Sequence, residues 1–327
     1  MSETESNFNP EILKSVEQKS RMENSAALLK NPIRDGEIGA DKVFIQADGI
    51  EKNGNKWQIN INSKDSTVIL DDKWRQNLRL ENSVIVADLR NINSEKKLVS
   101  GGTWVWIENG SGNRSLALMR RDGGAPVDAG CLTGPAGRCG EKLSKTSIDE
   151  TNQEFIFIQQ NNGEQTKLLA FYRNDDDQEE VVQQKLRQVG EVYKALMDKH
   201  EKNGDEKSKE DADYLVNNVR GENDIELLKM GEFEDNEQQL DEITMTIDGV
   251  EIDKVKGIAY MDEKNNTLEV REVVNIKLPM DSILSKVMDG EVFLRDTVLI
   301  SEKDLVSLKK DNLVPALRNY IEQVVKQ

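Results

Sequence analysis

The chain of 327 residues carries 61 acidic against 44 basic side chains, a formal net charge of −17, with 36% hydrophobic and 32% charged residues. That composition describes a well-solvated folded protein, long enough for one large domain or two ordinary ones. It argues against a nucleic-acid polymer as partner, because wrapping a polyanion calls for a basic surface.

No run approaches the ~20 apolar residues that span a bilayer. The start, MSETESNFNPEILKSVEQKS, has no basic segment followed by an apolar run, so the expected location is cytoplasmic, with no membrane contact. Two cysteines, Cys131 and Cys139, and a single histidine, His200, leave no disulfide framework, no zinc site of the usual four ligands and no Ser-His-Asp apparatus. Carboxylates are the expected carriers of any chemistry. His200, in MDKHEKNGDEK, reads as a solvated surface residue.

Residues 1–41 read as an N-terminal arm, partly disordered or helical, with a helix candidate at Pro10–Leu29. From Lys42 the period changes: KVFIQADG, KWQINI, STVILDD and SVIVADLR alternate as strands do. GTWVWIENGSGNRSLALMRRD adds two runs joined by the turn signal NGSGN. A glycine-rich loop, Gly123–Gly140, leads to a helix at Ser144–Glu154, with Ser144 as N-cap. FIFIQQ and KLLAFYR then make a hairpin candidate. Residues 174–240 form an acidic helical insertion whose apolar face carries Val181, Leu186, Val189, Val192, Tyr193 and Leu196. HEKNGDEKSKEDAD reads as a flexible charged linker within it. Residues 241–327 return to strands, then close with helices near Asp281–Met288 and Ser301–Gln327. Residues 42–173 and 241–327 therefore read as two parts of one α/β domain with a mixed sheet, interrupted by the insertion.

The helix after the glycine loop has an informative phase. At ~100° per residue, Ile148, Thr151 and Phe155 fall together as a buried stripe, while Glu150, Gln153 and Glu154 cluster opposite them. Glu141 ends the loop that enters this helix, in GPAGRCGE, where Gly137 and Gly140 allow close backbone approach. Three carboxylates on one loop-helix unit suit Mg²⁺ or Mn²⁺. They equally suit a solvated helix face, where such spacings are common.

The stretch LALMRRDGGAPVDAGCLTGPAGRCGEKLSKTSIDETNQEF resembles the signature of the Nudix hydrolase family, G-x5-E-x7-R-E-U-x-E-E. With Glu141 on the first glutamate, Glu150 and Glu154 fall on glutamates that are metal ligands in the family, and PAGR resembles its turn. Asp149 stands where the family has arginine, Thr151 where it has an aliphatic residue, Gln153 where it has glutamate, and Pro135 where it has the first glycine.

The resemblance implies a Nudix-like α/β/α sandwich that hydrolyses a phosphoanhydride in a nucleoside diphosphate derivative with Mg²⁺ or Mn²⁺. In that reading Glu141, Glu150 and Glu154 hold metal, and Gln153 positions a metal-bound water. Arg120, Arg121, Gly137 and Arg138 meet the small nucleotide substrate. The family also implies a further glutamate from a distant loop, for which Glu222, Glu226, Glu232 and Glu234 are candidates. The alternative is a catalytically weak or inactive Nudix-like module that senses a nucleotide or binds a protein. The acidic insertion would then serve as lid, homodimer contact or partner surface. Trp104 and Trp106 share a strand face, placed to stack a base or to build core, and Cys139 reads as a small packed residue.

Overall fold

The computed structural model describes residues 42–62, 67–70, 95–110, 112–121, 128–140, 142–161, 166–230, 240–264, 266–280, 282–291 and 295–325. The expected helix at Pro10–Leu29, the run SVIVADLR and Glu141 lie outside them. The N-terminal strands are β1 (Lys42–Ala47), β2 (Gly49–Asn53), β3 (Lys56–Ile61) and β4 (Thr67–Leu70). The tryptophan-rich run forms β5 (Lys97–Glu108), paired antiparallel with β6 (Arg114–Arg120) across the turn that NGSGN signals. Two short strands follow in the glycine loop, β7 (Leu132–Thr133) and β8 (Ala136–Arg138), and then helix α1 (Leu143–Glu154). The expected hairpin is β9 (Phe155–Asn161) and β10 (Thr166–Tyr172). Helices α2 (Gln178–Asn203) and α3 (Glu206–Asn218) precede β11 (Ile225–Lys229). The chain continues through β12 (Asp241–Ile247), β13 (Val250–Asp262), β14 (Thr267–Lys277), β15 (Ser282–Asp289) and β16 (Thr297–Ser301). It closes with the short helices α4 (Glu302–Leu305) and α5 (Pro315–Tyr320).

The molecule is a mixed α/β fold. One large sheet runs β16-β6-β5-β14-β13-β12-β3-β2, parallel at β5–β14 and β3–β12, so strands from both sides of the helical pair do join one mixed sheet. A second sheet, β11-β10-β9-β15, is separate from it.

Strand alternation explains how the sheets stack, since successive side chains point to opposite faces. Trp104 and Trp106 of β5 face the C-terminal helices, packing with Leu317 and Tyr320. Val105 and Ile107 face the other way, onto Ile148 of α1 and Phe155 and Phe157 of β9. Ile156 and Ile158 of β9 in turn pack on Val192, Leu196 and Leu215 of α2 and α3. The layers are thus C-terminal helices, large sheet, small sheet and helical pair, with α1 wedged beside β5. Trp104 stacks on Tyr320 at 5.4 Å between ring centroids and Trp106 Nε1 donates to Tyr320 Oη at 2.6 Å, so this pair builds core.

Three expectations need correction. Residues 282–289 form a strand rather than a helix. HEKNGDEKSKEDAD is mostly helix: Gly204, at φ 66°, ends α2, and Asp205 caps α3 by accepting from Ser208. The C-terminal helix is broken, because Pro315 can start a helix but not continue one. Among the described residues no helix is long and apolar enough to cross a membrane.

Candidate functional site

The glycine loop becomes a pinned turn. β8 pairs antiparallel with Ser100–Gly102 of β5. The Pro135 carbonyl accepts from Thr103 N–H at 3.0 Å and from Arg271 Nη1 at 2.6 Å. Ser100 Oγ donates to the Gly137 carbonyl at 2.8 Å. α1 begins at Leu143 rather than Ser144: Lys142 is the N-cap residue, and Asp253 of β13 accepts from the Ser144 N–H at 2.9 Å. A carboxylate from a neighbouring strand thus satisfies the helix start that Ser144 was expected to cap.

The turn is fitted to the helix by two carboxylates. The Ala136 N–H donates to Glu154 Oε2 at 2.8 Å. A Cβ at Gly137 would run into the Glu150 carboxylate, so glycine is what lets that side chain lie on the turn. Glu154 is 8% exposed, not outward-facing as its helical phase suggested, because β8, helix α2 and the segment that follows β15 pack against the last turn of α1.

That continuation supplies a group invisible in the motif. Arg295 Nη1 donates to Glu154 Oε1 at 3.2 Å, while Nη2 reaches Asp289 Oδ1 at 3.0 Å and Glu291 Oε2 at 2.7 Å. Burial works against the guanidinium's charge, but the bonds to Asp289 and the nearby carboxylates raise its pKa above the usual value. Burial also raises Glu154, opposed by Arg295 and the Ala136 N–H. Glu291 is pushed up to about 8, by burial first and then by Glu154, Asp289 and Glu150, against the pull of Arg295. Three carboxylates therefore crowd one guanidinium, at a cost that the fold retains.

Helix α2 locks the two halves of this cluster together. Lys185 Nζ, buried, donates to the carbonyls of Asn152 at 2.5 Å and Phe155 at 2.6 Å, where the dipole of α1 is negative. Burial lowers its pKa to about 7. Gln188 Nε2 bridges the Gln153 carbonyl, in α1, and the Gly290 carbonyl, just after β15. Gly290 is packed so closely there that a Cβ would strike both the Gln188 amide and the Gln153 carbonyl.

The structure brings Gly137, Glu150 and Glu154 together as a unit. Gln153 is exposed, and its backbone oxygen is what the neighbouring helix holds. Arg120 lines a cavity that Arg295 also lines and that α1 does not. Arg121 is instead half-buried and Arg138 exposed, both near Glu269, with partial desolvation lowering both their pKa values; Arg138 donates to Thr267 at 2.7 Å. Glu222 lies in a 3-10 turn and accepts from Gln183, Glu226 lies on β11, and Glu232 and Glu234 fall outside the described residues. Cys139 is fully buried, as expected. His200 is partly covered at the α2–α3 junction, its Nδ1 3.3 Å from the Asp205 carbonyl oxygen.

Asp289, Glu291 and Arg295 were missed by sequence reasoning. Their segment, MDGEVFLRD, gave one usable signal, alternating acids and an arginine around a glycine after an apolar run.

The donor set suits a divalent cation in chemistry, offering hard carboxylate oxygens with negative charge in excess of the one guanidinium. Glu150 and Glu154 would hold it from α1 and Glu291 from beyond β15. Among the described residues no three acidic, histidine or cysteine side chains converge as a metal-binding group, and Arg295 stands between Glu154, Asp289 and Glu291. No family model matches the chain, nor does any curated protein or solved structure.

Proposed function

We propose that the protein is a Nudix-like, metal-dependent hydrolase of a phosphoanhydride bond in a nucleoside diphosphate derivative. The observation that carries this reading is the placement of the Glu150 and Glu154 carboxylates on the glycine turn, where a Cβ at position 137 would displace Glu150, with Arg295 linking Glu154 to Asp289 and Glu291. Mg²⁺ or Mn²⁺ would neutralise charge developing on the bridging phosphate oxygens and make a bound water more acidic. The chain's own contribution is positional. Gly137 admits the Glu150 carboxylate, the Ala136 N–H fixes Glu154, and Gln188 holds α1 against the Asp289–Glu291 segment. Arg295 gives Glu154 the guanidinium that Asp149 cannot.

One observation favours a second reading. Both oxygens of Glu154 are already engaged, by Ala136 and by Arg295, so a permanently placed Arg295 would make a metal-free nucleotide-binding module. Turnover separates the two. The protein is incubated with Mg²⁺ or Mn²⁺ and a panel of dinucleotides, nucleotide sugars and nucleoside triphosphates, beside Glu150→Gln and Glu154→Gln. The hydrolase reading expects release of a nucleoside monophosphate or pyrophosphate by wild type, reduced about 100-fold or more in each variant. Nucleotide binding with no turnover across the panel would replace it with the metal-free module.

A further inference from the structure

Between helices α2–α3 and strands β15–β16 opens a cavity of about 420 Å³, within the size range of small-molecule sites. In a chain of net charge −17 its wall is locally reversed, carrying Arg120, Lys199, Lys207, Lys286 and Arg295. Three of the lining carboxylates are already paired. Asp205 pairs with Lys199 at 3.2 Å, Asp211 with Lys286, and Asp289 with Arg295 at 3.0 Å. Arg120 donates to the Gly130 carbonyl at 3.1 Å. Among the described residues neither Arg120 nor Lys207 enters an ion pair, and Asp296 is the single lining carboxylate outside one. Leu132, Leu196 and Val298 supply an apolar side to the same space.

We infer that this cavity binds a small phosphorylated molecule, whose phosphate draws on Arg120 and Lys207 and whose apolar part rests on Leu132, Leu196 and Val298. Arginine and lysine in a partly enclosed space recognise phosphate through charge-assisted hydrogen bonds, which strengthen as water is excluded. Lys199 and Lys207 come from the helical pair, so the acidic insertion serves as one wall of a ligand site. Arg295 joins the cavity to the carboxylates, since the guanidinium on its wall is the one that holds Glu154 and Glu291. An anion that draws on Arg295 therefore competes with those carboxylates for it. Identifying the ligand with a substrate rests on the hydrolase reading; its binding does not.

The test is calorimetric titration of inorganic pyrophosphate, and separately of ADP, into the full chain with EDTA at low ionic strength. Saturable binding of either probe is expected, weakened about tenfold by Arg120→Gln and about tenfold again by Lys207→Ala, and weakened further by added salt. Lys202→Ala, on α2 but outside the cavity, leaves it unchanged. Glutamine at 120 keeps a donor for the Gly130 carbonyl, and Lys207 is exposed, so a loss with unaltered thermal midpoint is not a folding defect. Because no metal is present, Glu150→Gln should bind both probes as wild type does while losing turnover, which reads the cavity and the hydrolase separately. Absence of saturable binding for both probes, or equal affinity in the Arg120→Gln/Lys207→Ala double variant, overturns the assignment.

Discussion

Glu291 and Lys185 are perturbed in ways that give stability a defined pH dependence. Glu291 has a folded pKa of about 8 against an unfolded value of about 4.3. Between those limits the folded state holds a proton that the unfolded state has lost, so stability falls as pH rises. With 28% of the side chain open to solvent, the loss is on the order of 1–2 kcal/mol. Lys185 has the opposite sign: its folded pKa of about 7 lies below the unfolded ~10.4, so its cost is relieved as pH rises through that window. Urea unfolding of metal-free protein from pH 4 to 8 should show the decline in wild type and a flatter profile in Glu291→Gln. Identical slopes would remove Glu291 from the crowded cluster. At Gly137 the expectation is steric. Gly137→Ala displaces the Glu150 carboxylate, so Mn²⁺ affinity should drop about tenfold while unfolding free energy changes by about 1–3 kcal/mol; unchanged affinity would separate Glu150 from the metal. That Glu150 and Glu154 share one side of α1 was legible because helical phase is local, but the burial of Glu154 was not. Arg295 was not, since a side chain 141 residues from Glu154 in sequence meets it only through the fold.

At the scale of elements, helix α2 acts as a clamp. Lys185 and Gln188 satisfy carbonyls at the end of α1, and Gln188 also ties Gly290. Gln188→Ala should leave its backbone partners short of a donor, costing about 1–3 kcal/mol, and should lower catalytic turnover more than substrate affinity. Unaltered stability and turnover in denaturant and kinetic assays would show that the clamp carries no weight. The apolar face of α2 was readable from its sequence: Val181, Val189, Val192 and Leu196 are buried, and Leu186 and Tyr193 half-buried. β15 was not: in DSILSKVMD, Ile283, Leu284, Val287 and Met288 fall at helical spacing, and a register shift between Leu284 and Lys286 breaks the strand alternation that would have revealed it. Charge similarly masked α3, whose Gly204 and Asp205 are sound stop and start signals within a stretch that composition alone reads as linker.

For the whole molecule, the layered arrangement explains why the site forms where it does. β5 is buried on both faces, α1 lies against it, and the second sheet brings β15 beside the end of α1. The alternation of strands and the return to strands after the helical pair were sufficient to expect a mixed α/β fold. The second sheet was not foreseeable, because it takes one strand from the helical segment itself and another from a stretch read as helix. The carboxylate cluster at their junction is the feature on which the proposed chemistry stands. Titration of Mn²⁺ into metal-free protein, with free Mn²⁺ followed by electron paramagnetic resonance, interrogates it without assuming any substrate. Wild type is expected to bind the ion saturably, with affinity reduced about tenfold or more in both Glu150→Gln and Glu154→Gln. Failure of wild type to bind Mn²⁺, or equal affinity in all three proteins, would show that Glu150 and Glu154 hold no metal and that Glu154 serves only to hold Arg295.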